Sequence, residues 1–180
     1  MENLKIDHTW TLFLDRDGVI NHRIMGGYVT SIDEFQFLNG VLDAMKVFKN
    51  TFSHVFVVTN QQGIAKNIMT ERNLLEIHDY MCSQIEKAEG SITKCYFAPE
   101  LKTDQNNTRK PKPNMALKAK QDFPNVDFQK SIMVGDTDSD IKFGMNLGMK
   151  TIRIKTVETI NVEADFTFTS LKEFSDKLML

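Results

Sequence analysis

Cysteine is scarce in this chain of 180 residues: Cys82 and Cys95 are the two it has, and they sit at no metal-ligand spacing. That excludes a disulfide framework, and a reducing compartment suits both thiols. An excess of positive charge is missing too. Lys and Arg number 22 against 24 Asp and Glu, for a formal net charge of −2, so the chain has no electrostatic footprint for sequence-independent nucleic-acid binding. No apolar run approaches the roughly 20 residues of a membrane span. Met1 to His8 lack the apolar stretch of a signal peptide. These absences lead to the expectation of a soluble, cytoplasmic protein with no membrane and no nucleic-acid partner. Internal repeats, linkers and low-complexity stretches are absent as well, so residues 1–180 are read as a single domain, long enough to bury a full apolar core.

Strand and helix patterns alternate along the chain. Trp10 to Leu14 is a short, nearly continuous apolar run, as in a strand buried on both faces. Helical spacing follows over Gly40 to Lys49, then a β-branched and aromatic run, Val55 to Val58, ends at Thr59. Thr70 to Glu89 carries an apolar stripe of Leu74, Ile77, Met81, Ile85 and Ala88, with Gly90 as its expected stop. Further strands are expected at 92–97, 131–134 and 150–154, and an edge strand at 165–169. Helices are expected at 114–123, 139–147 and 171–178. Alternation of this kind predicts an α/β fold, a parallel sheet covered by helices on both faces. In such sheets ligands bind beyond the carboxyl ends of the strands.

The polar residues of interest fall at those ends. Asp15-Arg16-Asp17-Gly18 follows the first strand; residues two apart on an extended chain share a side, so both carboxylates can face one pocket. A carboxylate with an ordinary pKa near ~3.9 is a ready nucleophile at neutral pH. It needs relief from repulsion by an anionic phosphate, which a divalent cation supplies. The second carboxylate is then placed for acid/base work. Asp136-Thr137-Asp138-Ser139-Asp140, at another strand-to-helix junction, offers hard oxygen ligands suited to Mg²⁺. Asp136 is the expected direct ligand. Asp138 reads as a helix-capping residue, and Asp140 leans to the metal side. Thr59 with the turn Asn60-Gln61 can hold phosphate oxygens, and Arg109-Lys110-Pro111-Lys112 is the one dense basic run, suited to a transferring phosphoryl group.

In this order Asp15, Asp17, Thr59, Lys110 and Asp136 resemble the four motifs of the haloacid dehalogenase superfamily, over about Leu12 to Ile154. The resemblance implies a Rossmann-like three-layer fold and a Mg²⁺-dependent phosphatase. Asp15 would be the nucleophile that becomes an aspartyl-phosphate, Asp17 the general acid/base, and Thr59 and Lys110 the stabilisers of the phosphoryl group. Mg²⁺ would be held by the Asp15 carboxylate, the Asp17 backbone carbonyl and Asp136. The strings Phe13 to Asn21, Thr59 to Ala65 and Arg109 to Pro113 are similar to one branch, that of heptose bisphosphate phosphatases and histidinol phosphatases. That likeness implies a small phosphorylated metabolite as substrate, a sugar phosphate or bisphosphate ahead of histidinol phosphate. It also implies substrate contacts from Arg16, Gly27, Tyr28, Asn60, Gln61 and Arg109.

Two features depart from the branch. Its zinc-loop ligands are replaced by Ala98-Pro99-Glu100 and Asn106-Asn107-Thr108, so no zinc is expected. A Lys common after the metal aspartate is Thr137 here. The inserts between Gly18 and Gly40 and between Phe97 and Arg109 are too short for a large cap domain, so an open site is expected. A receiver-like signalling domain is the rival from another class. Its acidic pair precedes the phosphorylated Asp, however, whereas here the cluster at Asp136 comes last. The sequence does not reveal the oligomeric state.

Overall fold

The computed structural model describes residues 5–155 and 157–179; the first half of the polar Met1–His8 segment lies outside them. Six strands form one parallel sheet: β1 Thr11–Leu14, β2 His54–Asn60, β3 Lys94–Ala98, β4 Ser131–Gly135, β5 Lys150–Ile154 and β6 Phe166–Phe168. Their order is β3-β2-β1-β4-β5-β6. The first strand is therefore central, with Leu14 level with Val57 on one side and Val134 on the other. Four helices connect β1 to β5, namely α1 Val41–Thr51, α2 Glu71–Lys87, α3 Asn114–Asp122 and α4 Asp138–Asn146, and α5 Leu171–Leu178 follows β6.

Strand side chains alternate between two cores. Leu12, Leu14, Val55, Val57, Ile132 and Val134 join one core with Met45 and Phe48 of α1, Leu74 and Ile77 of α2, and Phe174 of α5. Phe13, Phe56, Val58 and Met133 join the other with Met115 and Ala119 of α3 and Phe143 of α4. Burial on both faces explains why the inner strands read as unbroken apolar runs. The expected elements are all present, with ends moved by one or two residues. The stop of α2 differs: Ala88 caps it and Glu89, at φ 65°, takes the left-handed turn that the sequence reading gave to Gly90. No large cap is built on the short inserts. The segment between Gly18 and Gly40 forms a flap containing a 3-10 turn at Ile32–Glu34, held by His22 N–H donating to Gln36 C=O at 2.8 Å. No helix among the described residues is long and apolar enough to cross a membrane.

Candidate active site

Because β1 lies between β2 and β4, the residues that follow these three strands meet at one rim of the sheet. Asp15 starts there, its N–H donating to Val134 C=O at 2.9 Å. Two glycines let the chains come this close. Gly18 has φ +93°, and a β-carbon on it would stand 2.4 Å from Asp136 Oδ2; on Gly135 it would stand 2.0 Å from Asp140 Cβ. Only a residue without a side chain fits at either point.

Asp15, Asp136 and Asp140 each present a carboxylate oxygen, all within 4.8 Å of one another, and all three residues are buried. Among the described residues this is the one group of three or more potential ligands so arranged. Lys110 reaches into it from the loop after β3. Its Nζ lies 2.7 Å from Asp15 Oδ1 and 2.6 Å from Asp140 Oδ1, and donates to Val58 C=O at 2.6 Å. Asp140 Oδ2 meanwhile accepts from Thr137 N–H at 2.9 Å and Thr137 Oγ1 at 2.6 Å, capping α4. The cap thus belongs to Asp140 and not to Asp138, whose carboxylate takes Arg153 at 2.8 Å.

One lysine does not balance three buried carboxylates. Burial, then Asp15 and Asp140, push the Asp136 carboxyl up to about 8. Burial lifts Asp15 to about 6 against the pull of Lys110. A cluster short of positive charge and made of carboxylate oxygens fits a hard divalent cation such as Mg²⁺, which would favour the ionised form of both groups.

Asp17 is treated differently. Its side chain accepts from Arg16 at 2.9 Å, Asn21 Nδ2 at 2.9 Å and Gln61 Nε2 at 2.9 Å. Burial pushes its pKa up, but Arg16 and the Asn21, Arg16 and Gln61 hydrogen bonds outweigh that and hold it below the ordinary value. Arg16 and Gln61 were expected on the substrate. The structure buries both beneath the site, where Arg16 leans on His78 (3.5 Å) and Gln61 ties Asp17 to Thr59 Oγ1 at 2.9 Å. Neither lines the cleft. Alternation puts Arg16 on the side opposite its two flanking aspartates, and Gln61 is held inward by those hydrogen bonds.

The cleft has a volume of about 550 Å³ and is lined by Asp15, Asp17, Gly27, Tyr28, Thr59, Asn60, Arg109, Lys110 and Asp140, all of them sequence-derived candidates. Asn60 also fixes the motif lysine, accepting from Lys110 N–H at 2.9 Å. Lys66, Lys102 and Arg23 add unforeseen positive charge to the walls. Nothing in the sequence singles out Arg23, because a flap residue carries no periodic signal. Its guanidinium meets Asp136 Oδ1 at 3.0 Å and Asp17 C=O at 3.2 Å. The segments that replace the zinc loop pack on each other, Thr108 Oγ1 donating to Glu100 at 2.8 Å. A smaller hollow of about 370 Å³ beside Tyr96, Met115 and Lys118 shares no lining residue with the cleft.

Comparison with known proteins agrees with this geometry. The HAD-hydrolase-like family profile matches residues 107–172. The D-glycero-alpha-D-manno-heptose-1,7-bisphosphate 7-phosphatase of Campylobacter jejuni is 38% identical over 167 residues, covering 92% of this chain and 93% of that protein. The D-glycero-beta-D-manno-heptose-1,7-bisphosphate 7-phosphatase of Yersinia pestis is 33% identical over 175 residues, covering 90% and 91%. Among solved structures, the D,D-heptose 1,7-bisphosphate phosphatase of B. bronchiseptica, crystallised with magnesium and phosphate, superposes with a TM-score of 0.86 at 25% identity, covering 94% of this chain and 98% of that one. From the strand-end carboxylates to these relatives, the findings converge: the chain belongs to the haloacid dehalogenase superfamily and is one of its phosphatases.

Proposed function

We propose that this phosphatase hydrolyses a sugar bisphosphate of the heptose 1,7-bisphosphate kind, with Asp15 as nucleophile. The observation that carries the reading is Asp15 itself: it sits at the end of the central strand, paired with Lys110 and within a cation's reach of Asp136. Mg²⁺, held by Asp15, Asp136 and the Asp17 carbonyl, would neutralise charge on the phosphoryl group. Asp15 attacks phosphorus and the ester P–O bond breaks, leaving an aspartyl-phosphate and an alkoxide that takes a proton from Asp17. Water then attacks the same phosphorus, giving its proton to Asp17, and the acyl-phosphate bond breaks to release phosphate and restore Asp15. Lys110 and Thr59 bind the equatorial oxygens as charge builds on them. Arg16 favours the ionised form of Asp17, which serves the water-activating half directly; in the first half Asp17 takes up a proton beforehand and passes it to the alkoxide.

Lys66, Lys102 and Arg109 bring more positive charge to the cleft than one phosphoryl group balances, which supports a second anionic group on the substrate. Tyr28, with Lys66 Nζ 5.4 Å from its ring centroid, gives the sugar an aromatic wall. The scarcity of cysteine, with no disulfide framework in the sequence, supports a cytoplasmic setting. A substrate panel tests the proposal. Heptose 1,7-bisphosphate should exceed sugar monophosphates and histidinol phosphate in kcat/KM by at least about tenfold, because an unpaired charged subsite discriminates strongly. Histidinol phosphate in first place, or monophosphates equal to the bisphosphate, would contradict it.

A further inference from the structure

Arg23 ties the flap to two loops at the active rim. One guanidinium nitrogen bonds both Asp136 Oδ1 at 3.0 Å and the Asp17 carbonyl at 3.2 Å, and the other lies 3.3 Å from Glu158 Oε1. Asp136 and the Asp17 carbonyl are two of the ligands the metal-dependent reading assigns to the divalent ion. A guanidinium nitrogen bonded to both competes with that ion for the same groups. Charge leads to the same result. Asp15, Asp136 and Asp140 bring three negative charges and Lys110 one positive. A dication alone makes the set neutral, so it removes the net negative charge that draws the guanidinium to Asp136.

We propose that Arg23 is a competing internal cation: it and the divalent ion exclude each other from Asp136 and the Asp17 carbonyl, so that loading the metal unties the flap. The inference rests on the metal-dependent reading above. Arg23 shields the acidic cluster until the ion arrives and weakens the ion's apparent affinity by the free energy of its own contacts, and the linkage is reciprocal.

Calorimetric titration with Mg²⁺, without substrate, tests this in the wild-type protein, Arg23→Met and Arg23→Lys. Arg23→Met should bind Mg²⁺ at least about fivefold more tightly, with the lysine variant between the two. In the wild-type protein alone, saturating Mg²⁺ should speed amide hydrogen exchange across residues 22–28, a readout that needs no variant to fold. Equal or weaker Mg²⁺ binding by Arg23→Met, or exchange unchanged or slowed by Mg²⁺, would overturn the proposal. Absence of Mg²⁺ binding in every protein would overturn the metal-dependent reading with it, whereas normal binding indifferent to Arg23 overturns the competition alone.

Discussion

Lys110 and Lys102 come from the same loop after β3 and line the same cleft, yet they live in different surroundings. Lys110 is buried, its ammonium fixed by Asp15, Asp140 and Val58 C=O. Lys102 is exposed, and its backbone N–H, donating to Gln62 Oε1 at 3.3 Å, helps hold the loop. The same contrast separates the floor of the cleft from its walls. On the floor, charges are desolvated and Lys110 is held between Asp15 and Asp140, so its geometry is set before substrate arrives and a lost group is costly. On the walls, Lys66 and Lys102 are exposed, so they can follow the shape and charge of a ligand at little cost. Fixed chemistry below and adaptable recognition above suit a phosphatase fold that serves many substrates.

The strongest way to break the comparison is to remove the floor's ammonium. Lys110→Met leaves Asp15 and Asp140 buried face to face. It should lose about 3–5 kcal/mol of stability at pH 7, read from urea unfolding, and kcat should fall at least about 100-fold. A small loss of both would show that the floor is no more committed than the walls.

Beneath the floor, His78 gives a smaller effect. Burial first, then Arg16, depress its pKa to about 3. The folded value lies below the ordinary one of 6.5, so the unfolded chain takes the proton first. The imidazole therefore costs nothing above about pH 6.5. Stability drains away as pH falls from there towards about 3, by at most about 1.4 kcal/mol per pH unit. His78→Gln keeps an acceptor for Arg16 and should flatten this part of the stability profile between pH 7 and 5; an unchanged profile would refute it.

The walls should yield least. Lys66→Ala and Lys102→Ala should raise KM for a bisphosphate about two- to tenfold with kcat kept, since they bind ground and transition states alike. A loss of kcat instead would place these lysines with the floor.

Much of the floor was legible in the sequence because its residues follow apolar runs. Leu14 and Gly135 each end a buried strand, with Asp15 and Asp136 next, and Thr59 is the last residue but one of β2. The alternation that pairs Asp15 with Asp17 also turns Arg16 away, a signal that was there to be used. Likewise the spacing of Thr137 and Asp140 is that of a capping box, which identifies Asp140 rather than Asp138 as the cap. Arg23 lay beyond reach: its contact with Asp136 spans 113 positions, and no periodicity runs through the flap to announce it. Lys66 and Lys102 were hidden for a related reason, since exposed loop lysines look alike until a cleft collects them.

The proposed role of Asp15 as nucleophile admits a direct measurement. Asp17→Asn protein is mixed with a sugar bisphosphate and Mg²⁺, quenched in acid, digested and weighed by mass spectrometry. The peptide carrying Asp15 should gain the mass of one phosphoryl group, because the water step has lost its base, and Asp15→Asn should gain none. Phosphoryl mass on another residue, or turnover that survives in Asp15→Asn, would contradict the account.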